Sequence, residues 1–267
     1  MKQVIRRIFT HNRPQPIKKP KFFNQKYNNI LKSFGDANKD KVIYVIKRTR
    51  GSGFFSNFFF VLNHINLADR FGFFPVIDMK NFKTIYNENS GKFKNKNLWN
   101  LFFKDVSIIK LNEVYKSKNV IFSSDVFPEN TKYFNWEENN LKKILKKNIK
   151  IKKIFKEKKD KFIKKKFIGK VLGLHFRGTS YKTARSHALQ PNENLMIKFL
   201  NKILKKKDYK KIFVITEERN YLEKLKDHFG EKIIYMEKSY RSYKDDAFRT
   251  YPRKNHRYYL AEDILVE

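Results

Sequence analysis

The chain has 267 residues, room for one large or two modest domains at roughly 100–200 residues each. A hydrophobic fraction of 40%, with 27 Phe and 14 Tyr, is enough to build a core and excludes disorder throughout. Against 61 Lys+Arg stand 26 Asp+Glu, a formal charge of +35 that draws polyanions, anionic lipid and phosphorylated ligands, and the absence of cysteine excludes disulfides and thiolate metal sites.

Residues 1–40 are basic and polar, with prolines at Pro14, Pro16 and Pro20, and read as a loosely ordered lead-in. They hold no apolar stretch of the ~7–15 residues that a secretory signal needs. No run in the chain approaches the ~18–20 apolar residues that span a bilayer. A cytoplasmic protein is expected, with peripheral contact at the inner face of an anionic membrane as its furthest reach toward lipid.

An N-terminal α/β lobe is expected over 41–140. Residues 41–50, KVIYVIKRTR, carry the β-branched and aromatic side chains of a strand. The strand runs into Gly51-Ser52-Gly53-Phe54-Phe55-Ser56-Asn57. Phe58, Val61, Leu62, Ile65 and Ala68 then fall on one helical face, with Gly72 as the stop and residues 73–78, FFPVID, as a second strand. Strand, glycine loop, helix and strand make a nucleotide-binding half-unit whose helix N-terminus seats an anion. The loop is neither G-x-G-x-x-G nor a Walker loop, so its glycines read equally as a tight turn and Asn57 as a helix cap. Residues 106–111 and 120–122 read as short strands, and Trp99 and Trp136 as packing residues.

Residues 141–166 hold 14 lysines against Glu157 and Asp160. Leu141, Ile144, Leu145, Ile151, Ile154 and Phe155 give the stretch helical spacing. It reads as a basic helical linker between two lobes, or as a surface for anionic lipid or nucleic acid. Lysine outnumbers arginine 48 to 13, the bias of an AT-rich coding sequence. Readers of nucleic acid lean on arginine, so nucleic acid is the less favoured partner.

The C-terminal lobe, 167–267, opens on VLGLHFRGTS (171–180). Residues 171–174 read as a buried strand, and His175, Arg177, Gly178, Thr179 and Ser180 crowd its C-terminal end. Ligands of an open α/β sheet bind beyond that end of the strands. The planar fork of Arg177 suits a diphosphate; the alternative is a surface arginine beside a core histidine. Met196, Phe199, Leu200, Ile203 and Leu204 share a helical face. Residues 211–216, KIFVIT, form a strand ending in Thr216-Glu217-Glu218. Leu222, Leu225 and Phe229 mark a helix closed by Gly230, and residues 232–236 a third strand. The alternation argues for a mostly parallel sheet.

Three stretches resemble a known family. HFRGTSYKTARSHALQP (175–191) is similar to the His-x-Arg-x-x-Asp motif, with its downstream His and Pro, of fucosyltransferases and related bacterial glycosyltransferases that include the nodulation-factor α1,6-fucosyltransferases. Gly53-Phe54-Phe55-Ser56-Asn57 resembles the Gly-x-Phe-x-Asn element of protein O-fucosyltransferases and α1,2-fucosyltransferases. FVITEERNYLEKLKDHFGEKIIY (213–235) is similar to the family's second block, where a strand ends in Thr-Asp or Thr-Glu before a helix. The resemblance covers roughly 42–78 and 171–265.

It implies an α/β fold of two Rossmann-like lobes, GT-B-like, with a GDP-sugar donor (most typically GDP-fucose), a glycan acceptor, inversion at the anomeric carbon, and no metal or other cofactor. Carried onto this chain, Arg177 would hold the donor β-phosphate and stabilise the leaving diphosphate. His175 would contact the nucleotide or position that arginine. Gly53 and Asn57 would approach the donor from the N-terminal lobe, while Thr216 and Glu217 would line the nucleotide pocket; from the residues alone these two read equally as a helix cap. Without a metal, charge developing on GDP has to be met by fixed cations and N–H dipoles. His187 reads as an acceptor-side base or a surface residue.

Two departures stand out. Ser180 replaces the motif's Asp, and no carboxylate follows before Glu193, so no base for the acceptor hydroxyl is visible. The chain also ends at LAEDILVE, where relatives continue into a further strand and a Ser-containing loop, so the C-terminal lobe is expected to be incomplete. The expected function is an inverting glycosyltransferase moving fucose from a GDP-sugar to a glycan hydroxyl in surface-polysaccharide assembly. The alternatives are a basic module for nucleic acid or anionic membrane, and a degenerate, inactive transferase fragment.

Overall fold

The computed structural model describes residues 31–49, 51–125, 138–178, 191–243 and 253–267. The chain divides into two compact units, the first ending at Lys152 and the second beginning at Lys153.

In the first unit, β1 (Ile43–Ile46), β2 (Phe74–Ile77) and β3 (Val120–Phe122) form a parallel sheet in the order β2-β1-β3. β1 is central and buried along its length, as a strand covered on both faces should be. It is shorter than the sequence pattern over 41–50. After Ile46 the N–H of Lys47 leaves the ladder for the Ser123 hydroxyl, 3.0 Å away.

Helix α1 (Phe54–Phe71) packs on β1 and β2. The expected stripe is present, but the helix is buried over much more of its girth: Asn57, Asn63, His64 and Asn66 are covered as well as Val61, Leu62, Ile65 and Ala68. Gly72 ends it in the left-handed conformation (φ 67°, ψ 26°), which only glycine adopts without strain. Trp99, in α2 (Leu98–Phe102), is a packing residue with its ring stacked 4.3 Å from that of Phe103. Trp136 lies outside the described residues.

No strand forms over 106–111. There the Ile109 N–H bonds the Ser107 hydroxyl at 3.3 Å, and the Lys110 N–H bonds Glu113 Oε2 at 2.8 Å to start α3 (Leu111–Val114). Local side-chain acceptors have taken donors that a neighbouring strand would otherwise satisfy.

The basic stretch 141–166 is two helices rather than one. α4 (Glu138–Asn148) belongs to the first unit and packs on α1; α5 (Lys153–Lys166) belongs to the second. Between them Ile151 bridges to Phe103, and the Lys152 N–H bonds Phe102 O at 3.0 Å. No described helix is long and apolar enough to cross a membrane.

In the second unit, β4 (Val171–Phe176), β5 (Lys211–Thr216) and β6 (Ile233–Ile234) form a parallel sheet in the order β4-β5-β6. Helices α6 (Glu193–Lys206) and α7 (Arg219–Phe229) contribute Leu200, Tyr221, Leu222 and Leu225 to one core with Phe176, Ile212 and Val214. Phe213 contacts Phe162 and Phe167 instead, at 5.4 Å each.

β4 corrects the expectation of a buried strand. Leu172, Leu174 and Phe176 meet the core, whereas Gly173 and His175 are exposed. Period-two alternation puts every second residue on the other face. α6 departs from its pattern in the same way, with Phe199 51% and Ile203 38% exposed and only Leu200 buried.

Helix α8 (His256–Val266) is tied to α5 by the Lys158–Glu262 ion pair. It is tied to the segment after β6 by Arg241–Glu267 at 2.9 Å and by Asp263 Oδ2, which accepts the Tyr240 N–H at 3.2 Å.

Candidate functional site

β4 and β5 pair in register from Val171↔Lys211 to Phe176↔Thr216. Arg177 and Gly178 therefore leave the sheet beside Glu217 and Glu218. Arg177 is exposed at the C-terminal end of the sheet, and His175 is exposed on the face away from the core of the unit. Of the alternative, the core histidine does not hold, whereas the surface arginine does.

Thr216 is buried, and its Oγ1 accepts the Glu218 N–H at 3.1 Å. Its hydroxyl thus caps the turn into α7. Glu217 is half-buried. Its carbonyl accepts the Ser242 N–H at 2.8 Å while the Arg219 N–H donates to Ser242 O at 2.9 Å, so Ser242 straps the turn between β5 and α7.

Glu218, not Glu217, is the buried carboxylate, with 5% exposure. The signal was present in the strand: Ile212, Val214 and Thr216 alternate inward, and the next inward position is 218. Tyr221 is fully buried beside it, with its hydroxyl unpartnered among the described residues. Burial, and behind it the carboxylates of Glu193 and Glu218, push that phenol above its ordinary range. Ser180 and His187 lie outside the described residues.

In the first unit, the order β2-β1-β3 places a topological switch point past the C-terminal end of β1, where ligands of such sheets bind. The glycine loop starts there. Arg48, read from sequence only as part of a strand, is 4% exposed. Its Nη2 donates to Ser52 Oγ at 3.0 Å, and its guanidinium carbon lies 4.5 Å from the centre of the Phe60 ring. A fixed positive charge therefore underlies the loop. Asp125, following β3, accepts the Thr49 hydroxyl at 3.2 Å.

α1 begins at Phe54 with Gly53 as its N-cap, so Asn57 belongs to the first turn and is not the cap. Its Nδ2 instead reaches back to Ser52 O at 3.0 Å. The Phe54 N–H is already taken by the Tyr86 hydroxyl at 3.0 Å, which removes one donor from the expected anion seat. Gly53 has φ −58° and ψ 160°, open to any residue, and no described atom lies within 4 Å of where a Cβ would stand. Neither backbone strain nor packing requires glycine there, which argues against the tight-turn alternative at this position.

Among the described residues, no three His, Asp or Glu side chains gather into a group able to hold a metal ion.

No family model matches the chain, and no curated protein matches it in sequence. Solved structures do match. NodZ alpha-1,6-fucosyltransferase co-crystallised with GDP aligns with TM-score 0.54 and 16% identity over 85% of this chain and 83% of that one. The same enzyme soaked with GDP-fucose aligns with TM-score 0.55 and 16% identity, covering 85% and 84%. Fucosyltransferase NodZ from Bradyrhizobium gives TM-score 0.51 and 15% identity over 85% and 84%. At such identity the likeness is one of fold: two parallel α/β sheets in a GT-B-like, fucosyltransferase-like fold.

Proposed function

We propose that the protein is a glycosyltransferase that moves fucose from GDP-fucose to a glycan hydroxyl. The observation that carries this reading is an exposed arginine, Arg177, just past a parallel strand in a chain whose structural neighbours were co-crystallised with GDP or soaked with GDP-fucose. In this reading Arg177 binds the β-phosphate and takes up charge as the C–O bond to the diphosphate breaks, with no metal required. Electrostatic stabilisers of this type are worth about 10²–10³ in rate. His175 and Glu217 sit at the same sheet end and face the nucleotide.

Thr216 acts one step back, through the turn that its hydroxyl caps. From the first unit, Gly53 offers an open backbone for close approach, and Asn57 holds the loop through Ser52. His187 is assigned to the acceptor side.

The test is thermal stability with GDP, UDP and ADP. GDP at a hundredfold over its Kd should add about 2.7 kcal/mol, UDP and ADP much less, and Arg177→Ala should abolish the gain. Equal silence with all three nucleotides would refute the reading. Affinity for polyanions that falls steeply with salt regardless of Arg177 would mark a basic binding module instead.

A further inference from the structure

We propose that the N-cap and first turn of α7 are a clamp that positions Arg177, with Tyr221 and Glu218 holding the residues on either side of it. The proposal rests on the GDP-sugar reading of this site. Phe176 and Tyr221 are both buried, and their rings stack with centroids 3.5 Å apart and planes 6° apart. On the other side of the arginine, Gly178 lies against the side chain of Glu218. A Cβ at 178 would collide with Glu218 Oε2 and stand 2.9 Å from both Cβ and Cδ of Glu218, so the backbone rests on the arm of that carboxylate with no room between.

Glu218 is the N-cap of α7 and Tyr221 lies in its first turn. The clamp is itself anchored. The Glu218 N–H is bonded to Thr216 Oγ1, its carbonyl accepts the Leu222 N–H at 3.3 Å, and Ser242 straps the turn from both sides. The backbone fixes where the Arg177 side chain starts and which way its Cα–Cβ bond points, and staggered rotamers carry the rest. Here that backbone is gripped at 176 and at 178, which fixes the root of the arginine side chain before a ligand arrives. Preorganisation of this kind lets a charged group act without reorganising as the reaction proceeds.

The experiment is calorimetric titration of the full chain with GDP and with guanosine, which lacks the phosphates. Gly178→Ala should weaken GDP about 10- to 100-fold, the range for hydrogen bonds to a charged group, and leave guanosine unchanged. In an Arg177→Ala background the same substitution should remove nothing further. Glu218→Ala, which removes the arm that Gly178 rests on, should weaken GDP in the same sense and leave guanosine unchanged. If Gly178→Ala does not fold, Tyr221→Leu applies the same pair of titrations from the Phe176 side.

Equal losses for GDP and guanosine, or full additivity with Arg177→Ala, would overturn the clamp and leave the GDP-sugar reading standing. A wild-type chain that binds no GDP would overturn that reading, and with it the role given to the clamp.

Discussion

Tyr221→Phe should make the second unit more stable, although it deletes a polar atom from the core. Tyr221 has no exposure, and its hydroxyl has no hydrogen-bond partner among the described residues. A hydroxyl buried without a partner costs about 1–3 kcal/mol by protein mutational data. Phenylalanine keeps the ring and its stack on Phe176. The net expectation is a gain of about 1 kcal/mol, whereas Tyr221→Ala, which forfeits the ring, should lose several.

Tryptophan fluorescence will not report it, since the second unit, from Lys153 onward, contains no tryptophan. Amide hydrogen exchange over Val171–Phe176 and Lys211–Thr216 will, and a gain of 1 kcal/mol slows exchange about fivefold. GDP affinity should not move, because the clamp uses the ring and not the hydroxyl. Faster exchange in Tyr221→Phe would mean that the hydroxyl is satisfied in solution, and would refute the reasoning.

Two further outcomes follow from geometry. Burial holds the Asp263 carboxyl up at about 6, against an ordinary 3.8. The folded state therefore keeps a proton that the unfolded chain releases. That contribution is full below about pH 4, is lost as pH rises through 6, and amounts to about 2–3 kcal/mol. Asp263→Asn should remove this slope, so the stability gap between variant and parent in urea should widen in the variant's favour between pH 4 and pH 7. Glu267 is pushed up to about 7 by burial despite its Arg241 partner, and the Asp263 charge adds to the rise, so Asp263→Asn lowers it and widens the gap in the same direction; a gap that stays constant across that window defeats the prediction. Gly53→Ala should leave folding stability unchanged or raise it by about 0.4–1 kcal/mol, since its backbone angles suit any residue. A drop of more than 1 kcal/mol in a denaturant titration would show a packing demand at 53 that the structure does not contain.

Period and punctuation marked α1 and its stop at Gly72, the full extent of β5, and α7 with its closing Gly230. These features are local, set by residues a few positions apart, and a parallel α/β class follows from their alternation. The same reasoning missed at 106–111, where Ser107 and Glu113 offered backbone donors an alternative to a strand. It also missed along α6, where the spacing that places Phe199 and Ile203 with Leu200 carries no information on how wide a neighbouring surface will be. The exposed arginine at the end of β4 was legible as well, since a polar cluster after an apolar run is a one-dimensional pattern.

What the chain alone determined is thus the order and type of its elements and the placing of Arg177 just beyond a strand. Only the tertiary structure decided that Arg48 is buried beneath the glycine loop, that Glu218 rather than Glu217 is covered, and that Gly178 has no room for a side chain. Each of those depends on which groups from distant parts of the sequence come to lie opposite one another. Burial and contact are properties of pairs brought together by folding, and local periodicity cannot supply the partner.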